Sequence, residues 1–137
     1  MATVELTAEN FNSTVTGSGL VLVDFWAEWC PPCRMFGPVF EKASQTHPDA
    51  VFGKVDTEAQ PEVAAAFNIA SIPTLMIIRD NIMLFNQPGA LPEKALEELI
   101  TKAEALDMDE VRASMAEAPQ DSQSPQAPQA PQAPAKA

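Results

Sequence analysis

Continuous apolar blocks alternate with helix-spaced apolar positions along most of the chain. The stretch from Leu20 to Trp26 is almost entirely apolar, which is typical of a strand covered on both faces of a mainly parallel sheet, and Asp24 is its one polar residue. From Pro32 onward apolar residues recur every three or four positions, which indicates an amphipathic helix ending near His47. By the same criteria we predict further strands at 4–6, 51–55, 75–78 and 82–85, a capped helix start within residues 7–11, and further helices spanning 61–67 and 92–105.

Turn-forming residues separate these elements and set their order. Asp80 and Asn81 lie between two apolar runs and match the pattern of a two-residue β-hairpin. Pro38 lies inside the predicted second helix, where its missing N–H should produce a kink. The resulting order is βαβαβαββα. It predicts an α/β fold with a central mixed sheet flanked by helices on both faces.

The C-terminal part of the chain differs in composition. Residues 106–117 combine an acidic cap at Asp107 with Glu110 three positions later, which predicts one short extra helix. Residues 118–137 are rich in Pro, Gln and Ala and cannot bury enough apolar surface to offset the entropy of ordering. We therefore expect a domain at 1–105, a helix at 106–117 and a disordered tail at 118–137. The tail is interpreted as a tether, or alternatively as a segment that binds a partner.

The charge of the chain limits its partners. The 137 residues carry a net charge of −11, from 19 acidic and eight basic side chains. Contacts to nucleic acid phosphates need clustered Lys and Arg, so we expect no nucleic acid partner. The N-terminus has no basic segment followed by an apolar core, and no apolar run is long enough to span a membrane. We expect a monomeric, cytoplasmic protein without membrane contact.

The two cysteines of the chain, Cys30 and Cys33, lie where the apolar strand meets the predicted helix. This spacing allows the roughly 4.4–6.8 Å between alpha carbons that a disulfide requires. A helix start also favours a thiolate, which is the attacking species in disulfide exchange. A zinc site would need two further Cys or His ligands, and only His47 remains. We interpret the pair as a redox centre and expect no metal.

Four blocks of this sequence resemble the thioredoxin family. They are Val-Asp-Phe-Trp-Ala-Glu-Trp-Cys-Pro-Pro-Cys at 23–33, Lys-Val-Asp at 54–56, Ser-Ile-Pro-Thr-Leu at 71–75 and Pro-Gly-Ala at 88–90. The resemblance runs from residue 3 to about residue 105. It implies a thioredoxin fold and an oxidoreductase that reduces protein disulfides without a bound cofactor. It also implies thioredoxin reductase and disulfide-containing client proteins as partners, with NADPH as the source of electrons.

The resemblance further assigns roles to individual residues. Cys30 matches the attacking cysteine and Cys33 the resolving one. Asp24 matches a buried acid that moves protons at Cys33, with Lys54 as its basic partner. Pro73 matches a proline that follows a cis peptide bond and faces the motif. The other residues expected on the substrate surface are Trp29, Pro31, Pro32, Ile72, Gly89 and Ala90.

Pro31 departs from the usual family pattern, in which Gly precedes Pro between the two cysteines. Its ring removes a backbone donor and fixes a φ angle. Thiolate stability and reduction potential are therefore both expected to differ from the family norm. The segment after residue 105 is a second departure, which the resemblance does not explain.

Two other functions remain open on the sequence. One is a disulfide oxidase or isomerase, although such relatives more often carry His between the cysteines and export signals. The other is a holdase or co-chaperone that uses the apolar surface around Trp29, Ile72 and Pro73. Trp26, in contrast, is interpreted as a packing residue.

Overall fold

A mixed β-sheet occupies the centre of the fold. The computed structural model describes residues 3–17 and 19–117. The strands are β1 (Thr3–Glu5), β2 (Leu20–Trp26), β3 (Val51–Asp56), β4 (Thr74–Arg79) and β5 (Ile82–Pro88). In the described residues they form one five-stranded sheet with the order β1-β3-β2-β4-β5. β1, β3 and β2 are parallel, whereas β4 is antiparallel to β2 and β5 is antiparallel to β4.

Helices connect these strands in the predicted order. They are α1 (Phe11–Val15), α2 (Pro31–Thr46), α3 (Pro61–Ala66), α4 (Glu93–Ala105) and α5 (Met108–Glu117). The order of elements through α4 is the predicted βαβαβαββα. Pro38 lies inside α2 as expected.

Two separate apolar clusters cover the two faces of the sheet. Successive side chains of a strand point to opposite faces, so β2 contributes to both clusters. Leu20 and Leu22 pack with side chains of α2 and α4, whereas Val21, Val23 and Phe25 pack with side chains of α1 and α3. The predicted arrangement of helices on both faces is confirmed. Since position 24 has the same parity as position 22, the face toward α2 is also the face of Asp24.

The observed boundary of β5 differs from the predicted one, whereas the start of α1 agrees with the prediction. α1 begins at Phe11, within the predicted helix start at residues 7–11. Before it, the Asn10 side chain accepts a hydrogen bond from the Thr7 N–H at 2.7 Å, and the Thr7 hydroxyl accepts one from the Glu9 N–H at 3.2 Å. β5 extends to Pro88 rather than to Phe85, because its pairing with β4 continues beyond the apolar run.

The Asp80–Asn81 turn is confirmed as the connection between β4 and β5. Both residues have positive φ angles, 53° for Asp80 and 65° for Asn81. A two-residue hairpin turn of type I′ needs this conformation at both central positions, and Asn and Asp tolerate it better than most residues. The turn starts the antiparallel edge of the sheet.

Gly53, in the middle of β3, has no room for a side chain. It pairs with Val4 of β1 and with Val23 of β2. A Cβ atom at this position would collide with the side chain of Leu6, which is itself 1% exposed. Glycine at position 53 therefore lets Leu6 pack directly on the sheet.

The chain divides between Ala105 and Leu106 into two units, and α5 belongs to the second. The predicted cap of this helix is confirmed, because Asp107 Oδ1 accepts hydrogen bonds from the N–H groups of Asp109 and Glu110 at 3.0 and 3.3 Å. The predicted disordered tail at 118–137 lies outside the described residues. Across the part of the chain that the structure describes, none of the helices has the length and apolar character needed to cross a membrane.

Candidate active site

The cysteine motif lies at the junction between β2 and α2. β2 ends at Trp26, and Cys30 occupies the N-cap position of α2 with an extended backbone, φ −94° and ψ 110°. Pro31 and Pro32 follow as the first two helical residues. Proline is favoured at the first helical position because its fixed φ suits a helix and its missing N–H would have no helical partner there. The motif thus begins the helix and supplies its cap.

Cys30 and Cys33 are joined by a disulfide with their alpha carbons 5.2 Å apart. The backbone N–H of Cys33 donates a hydrogen bond to Cys30 Sγ at 3.3 Å. The two prolines have no N–H, so among the first three residues of α2 only Cys33 can donate. This bond and the positive end of the helix dipole both favour negative charge on Cys30.

Solvent exposure does not separate the roles of the two cysteines. Cys30 is 2% exposed and Cys33 is 4% exposed in the disulfide form. They form a small cluster with Ala27, against which Trp26 and Ile72 pack. The feature that distinguishes Cys30 is its position as the helix cap.

The loop before β4 lies beside the disulfide. Cys30 Sγ is 3.7 Å from the carbonyl oxygen of Ile72, and the Ile72–Pro73 peptide bond is cis, as the resemblance implies. The N–H of Gly89 donates to the carbonyl oxygen of Pro73 at 2.7 Å, and Gly89 has a φ of +111°, which favours glycine. The structure therefore brings Ile72, Pro73 and Gly89 together next to Cys30. Ala90 is exposed and follows Gly89 in sequence.

Asp24 is a buried acid on the central strand. Its side chain is 0% exposed, and neither carboxylate oxygen has a hydrogen-bond partner among the described residues. Burial disfavours the charged form and raises the pKa of Asp24 to about 7, although the positive charge of Lys54 acts in the opposite direction. The group is therefore able to exchange a proton near neutral pH.

Lys54 is the register neighbour of Asp24 on the adjacent parallel strand. Its Nζ lies 4.9 Å from the centre of the Trp26 ring. It is also 3.7 Å from the point where a Cβ of Gly37, on α2, would lie. The structure thus brings the predicted pair of Asp24 and Lys54 together beneath α2.

Trp29 lies on a more open, acidic side of the motif. It is 62% exposed, and its Nε1 donates a hydrogen bond to Glu58 Oε2 at 3.2 Å. An open cavity of about 380 Å³ lies here. The residues that line this cavity are Glu28, Trp29, Arg34, Asp56 and Glu58.

Sequence reasoning missed three residues around the site. Trp26, interpreted as packing, also contacts the Lys54 ammonium. A signal was present, since positions 24 and 26 of a strand point to the same face. Gly37 also carried a signal, because it lies four residues after Cys33 on the same helix face. Glu58 carried none, since only the folded chain brings it to Trp29.

No metal centre competes with the disulfide in the described part of the chain. Residues 3–17 and 19–117 contain no group of three or more His, Cys, Asp or Glu side chains placed to hold a metal ion.

Known proteins share this combination of fold and motif. The thioredoxin family model matches residues 2–102. A putative thioredoxin 2 from Streptomyces coelicolor is 66% identical over 116 residues, covering 85% of this chain and 87% of that relative. A Bacillus subtilis thioredoxin is 40% identical over 103 residues, covering 74% of this chain and 98% of that protein.

A solved structure is also similar to this chain. The Malassezia sympodialis thioredoxin, described as a member of a pan-allergen family, superposes with a TM-score of 0.66 at 32% identity, covering 73% of this chain and 89% of that one. The fold agrees with that of this relative. The chain belongs to the thioredoxin family, and its Cys30–Cys33 pair makes it a protein-disulfide oxidoreductase.

Proposed function

We propose that this protein works as a reductant of client disulfides, with Cys30 as the nucleophile and Cys33 as the resolving thiol. The observation that carries the assignment is the hydrogen bond from the Cys33 N–H to Cys30 Sγ at the start of α2. It stabilises a thiolate on Cys30 in preference to Cys33. A thiolate is the form that attacks a disulfide.

The proposed reaction has two exchange steps. The Cys30 thiolate attacks one sulfur of the client disulfide, a mixed disulfide forms, and the other client sulfur leaves as a thiolate that takes up a proton. Cys33 then loses its proton, attacks Cys30 Sγ and breaks the mixed disulfide. The second client thiol is released and two electrons have passed to the client. The product state of the protein is the Cys30–Cys33 disulfide.

Asp24 is proposed to accept the proton of Cys33 in the second step. Support comes from its pKa, raised by burial to about 7, because a base works best when its pKa lies near the operating pH. Its position on the α2 face of the sheet supports the same role. Lys54 is proposed to tune this acid through its positive charge.

The client is proposed to bind across the surface around the disulfide. Trp29 offers the largest exposed apolar side chain there, and the Ile72 carbonyl lies next to the attacking sulfur. Backbone groups in such a position can pair with an extended peptide as a strand would. The full proposed surface comprises Trp29, Pro31, Pro32, Ile72, Pro73, Gly89 and Ala90.

The electrons are proposed to come from NADPH through a thioredoxin reductase. The support is the family membership, and the proposed setting is the cytoplasm, with the protein acting as a monomer. The direction of net transfer depends on small differences in potential, since about 30 mV corresponds to roughly 1.4 kcal/mol for a two-electron couple. A reduction potential of about −270 mV is known for thioredoxin.

The test is reduction of insulin disulfides by the pre-reduced protein, with turnover driven by NADPH and a bacterial thioredoxin reductase. We expect reduction by the native chain and none by Cys30→Ser. Cys33→Ser should instead accumulate a mixed disulfide with the client. The potential of the Cys30–Cys33 pair is then measured at pH 7 against a reference dithiol. A value well above about −200 mV would indicate an oxidase or isomerase instead.

The holdase alternative has little apolar surface to use. Of Trp29, Ile72 and Pro73, only Trp29 is largely exposed, while Ile72 is half-buried and Pro73 is buried. The exposure of these three residues therefore does not support holdase binding. The same assay separates the two classes, because protection of an unfolded client by a variant with both cysteines replaced by Ser would require binding without exchange.

A further inference from the structure

Trp26 contacts both halves of the site. It ends β2 and has the same strand parity as Asp24, so both side chains point toward α2. One part of its environment is the cluster of Ala27, Cys30 and Cys33, against which it packs. The other is the ammonium of Lys54, 4.9 Å from the ring centre. A single indole therefore joins the cysteine pair to the charge beside Asp24.

The Trp26 ring is a contact that could fix the position of the Lys54 ammonium. Lysine carries its charge on a flexible four-carbon chain, so its location must be fixed by what it touches. Among the described residues Lys54 has no salt bridge, and the face of the Trp26 ring attracts a cation through its negative electrostatic potential. The indole face is therefore a contact suited to localising the charge.

A residue of α2 also lies near the ammonium. Gly37 follows Cys33 by four residues, so the two lie on the same helix face. The Lys54 Nζ is 3.7 Å from where a Cβ of Gly37 would lie, an ordinary contact distance. The ammonium therefore contacts the Trp26 ring and lies near the α2 turn that follows the resolving cysteine.

The other charged groups near this arrangement have different partners. Lys54 is the charged side chain that acts on Asp24, and it comes from β3. Asp56 is the register neighbour of Trp26, but its Oδ1 accepts hydrogen bonds from the N–H groups of Glu58 and Ala59 at 2.9 and 3.3 Å. From α2, the titratable group on the same face is Cys33 itself. A change at Trp26 would therefore alter the pKa of Asp24 through the electrostatic effect of Lys54.

We propose that Trp26 is a positioning residue, which holds the Lys54 ammonium beside Asp24 and thereby controls proton transfer from Cys33. The proposal rests on the proton-accepting role proposed for Asp24. It differs from simple packing in one respect. Packing requires only an apolar side chain of similar volume, whereas positioning requires an aromatic face and the lysine together.

The experiment measures the titration of the Asp24 carboxyl by carbon-13 NMR in Trp26→Leu, Trp26→Met and Trp26→Phe. Each variant is made in the native chain and in a Lys54→Met background. We expect the Leu and Met variants to raise the pKa of Asp24 by about 0.5 or more, because a freed ammonium stabilises the carboxylate less. Trp26→Phe should cause a smaller shift, because it keeps an aromatic face for the ammonium. In the Lys54→Met background, all three Trp26 variants should leave the pKa of Asp24 unchanged.

Trp29→Leu is the matched control, since it removes an indole that contacts Glu58 rather than Lys54. It should not move the Asp24 titration. The proposal would be overturned if the Trp26 variants shifted the pKa of Asp24 equally with and without Lys54. It would also be overturned if Lys54→Met shifted this pKa and the Trp26 variants did not. The pH profile of insulin reduction provides a separate readout. If Asp24→Asn leaves that profile unchanged, the proton-accepting role fails, while the NMR titration still decides whether Trp26 positions Lys54.

Discussion

Asp24 is an acid in a position where the sheet otherwise places aliphatic side chains. Its neighbours in the strand face two apolar clusters, and its own carboxylate has no hydrogen-bond partner among the described residues. Burial of an ionisable group without partners lowers the stability of the folded state once the group must be charged. The protein therefore retains at this position a group that costs stability and that the proposed exchange reaction uses.

Replacing Asp24 by Asn should stabilise the protein at pH 8 but not at pH 4. The folded-state pKa is raised from 3.8 to about 7, so the native state carries no penalty below about pH 4, a growing one between pH 4 and 7, and the full one above. The full penalty is roughly 4 kcal/mol, and a buried, unpaired amide costs about 1–3 kcal/mol. We expect a net gain of about 1–3 kcal/mol at pH 8 by denaturant unfolding of the disulfide form.

The control for this prediction is Asp49→Asn, at an exposed position after α2. It should change the free energy of unfolding by less than about 0.5 kcal/mol at either pH. A gain in Asp24→Asn of the same size at pH 4 and pH 8 would show that ionisation of Asp24 is not its cause.

Pro31→Ala should increase the reactivity of reduced Cys30. The substitution restores an N–H at the first helical position. In the native chain, Cys33 supplies the one N–H donor among the first three residues of α2. A favourable charge–dipole contact of roughly 0.3–1 kcal/mol corresponds to about two- to fivefold faster alkylation near neutral pH. The rate is measured with iodoacetamide and mass spectrometry. Pro48→Ala, beyond the end of α2, should leave it unchanged, and an unaltered rate in Pro31→Ala would contradict the prediction.

Sequence reasoning and the structure agree best where a residue has a family match. Asp24 and Lys54 were paired by resemblance, and they are register neighbours. The contact between Trp26 and Lys54 was not predicted, because a ring–cation contact depends on side-chain direction across two strands. The exposure of Cys30 could not be predicted either, since it is set by the loop before β4, far away in sequence.

At the scale of elements, α2 carries one position that is not optimised for stability. Gly37 lies in the interior of this helix, where glycine is less favourable than alanine by about 0.5–1 kcal/mol. A Cβ at Gly37 would have the Lys54 Nζ as its nearest neighbour at 3.7 Å, an ordinary contact distance. Gly37→Ala should therefore raise the free energy of unfolding by about 0.5–1 kcal/mol in chemical denaturation.

Gly53→Ala is the matched comparison for this prediction. It introduces the same methyl group, but in a strand and against the side chain of Leu6, which leaves no space. Overpacking of this kind costs about 1–3 kcal/mol. If both substitutions moved stability in the same direction, the local space around each glycine would not be the deciding factor.

Element boundaries were predictable where apolar content changes abruptly. β2 was predicted at 20–26 and is found there, because its apolar run is bounded by Gly19 and by the motif loop. The start of α1 at Phe11 falls within the predicted stretch 7–11, because the polar residues before it form a turn rather than part of the helix. β5 was predicted too short, because its last residues pair with β4 although they are polar and exposed.

At the scale of the whole molecule, negative charge should favour basic clients. The chain has a net charge of −11, and three carboxylates line the cavity beside Trp29. Long-range attraction increases the rate of encounter with oppositely charged partners and is screened by salt. A disulfide peptide flanked by Lys should be reduced about tenfold faster than its Glu-flanked counterpart at low salt.

The measurement compares initial rates for the two peptides at low salt and at about 0.5 M salt, where screening is strong. A Gln-flanked peptide of the same sequence serves as the neutral control and should respond least to salt. Equal rates for the Lys and Glu peptides at low salt would show that charge does not guide client encounter.

The fold of residues 3–105 could be predicted in outline because each buried strand and amphipathic helix carries its own apolar pattern. The extra helix could be predicted from a local signal, the capping residue Asp107, whose side chain accepts two hydrogen bonds at the start of α5. The division at 118–137 stays a prediction, since it concerns residues outside the described part. Contacts between residues far apart in sequence, such as the hydrogen bond between Trp29 and Glu58, could not be predicted from composition.

The contact between Leu6 and Gly53 ties the first strand to the interior of the molecule. β1 is only three residues long and pairs with β3 alone. A larger residue at position 53 would displace Leu6 and loosen that short pairing, leaving the backbone groups of β3 without a neighbour on one side. An exposed strand edge can pair with a second copy, so we expect a larger residue at position 53 to favour self-association.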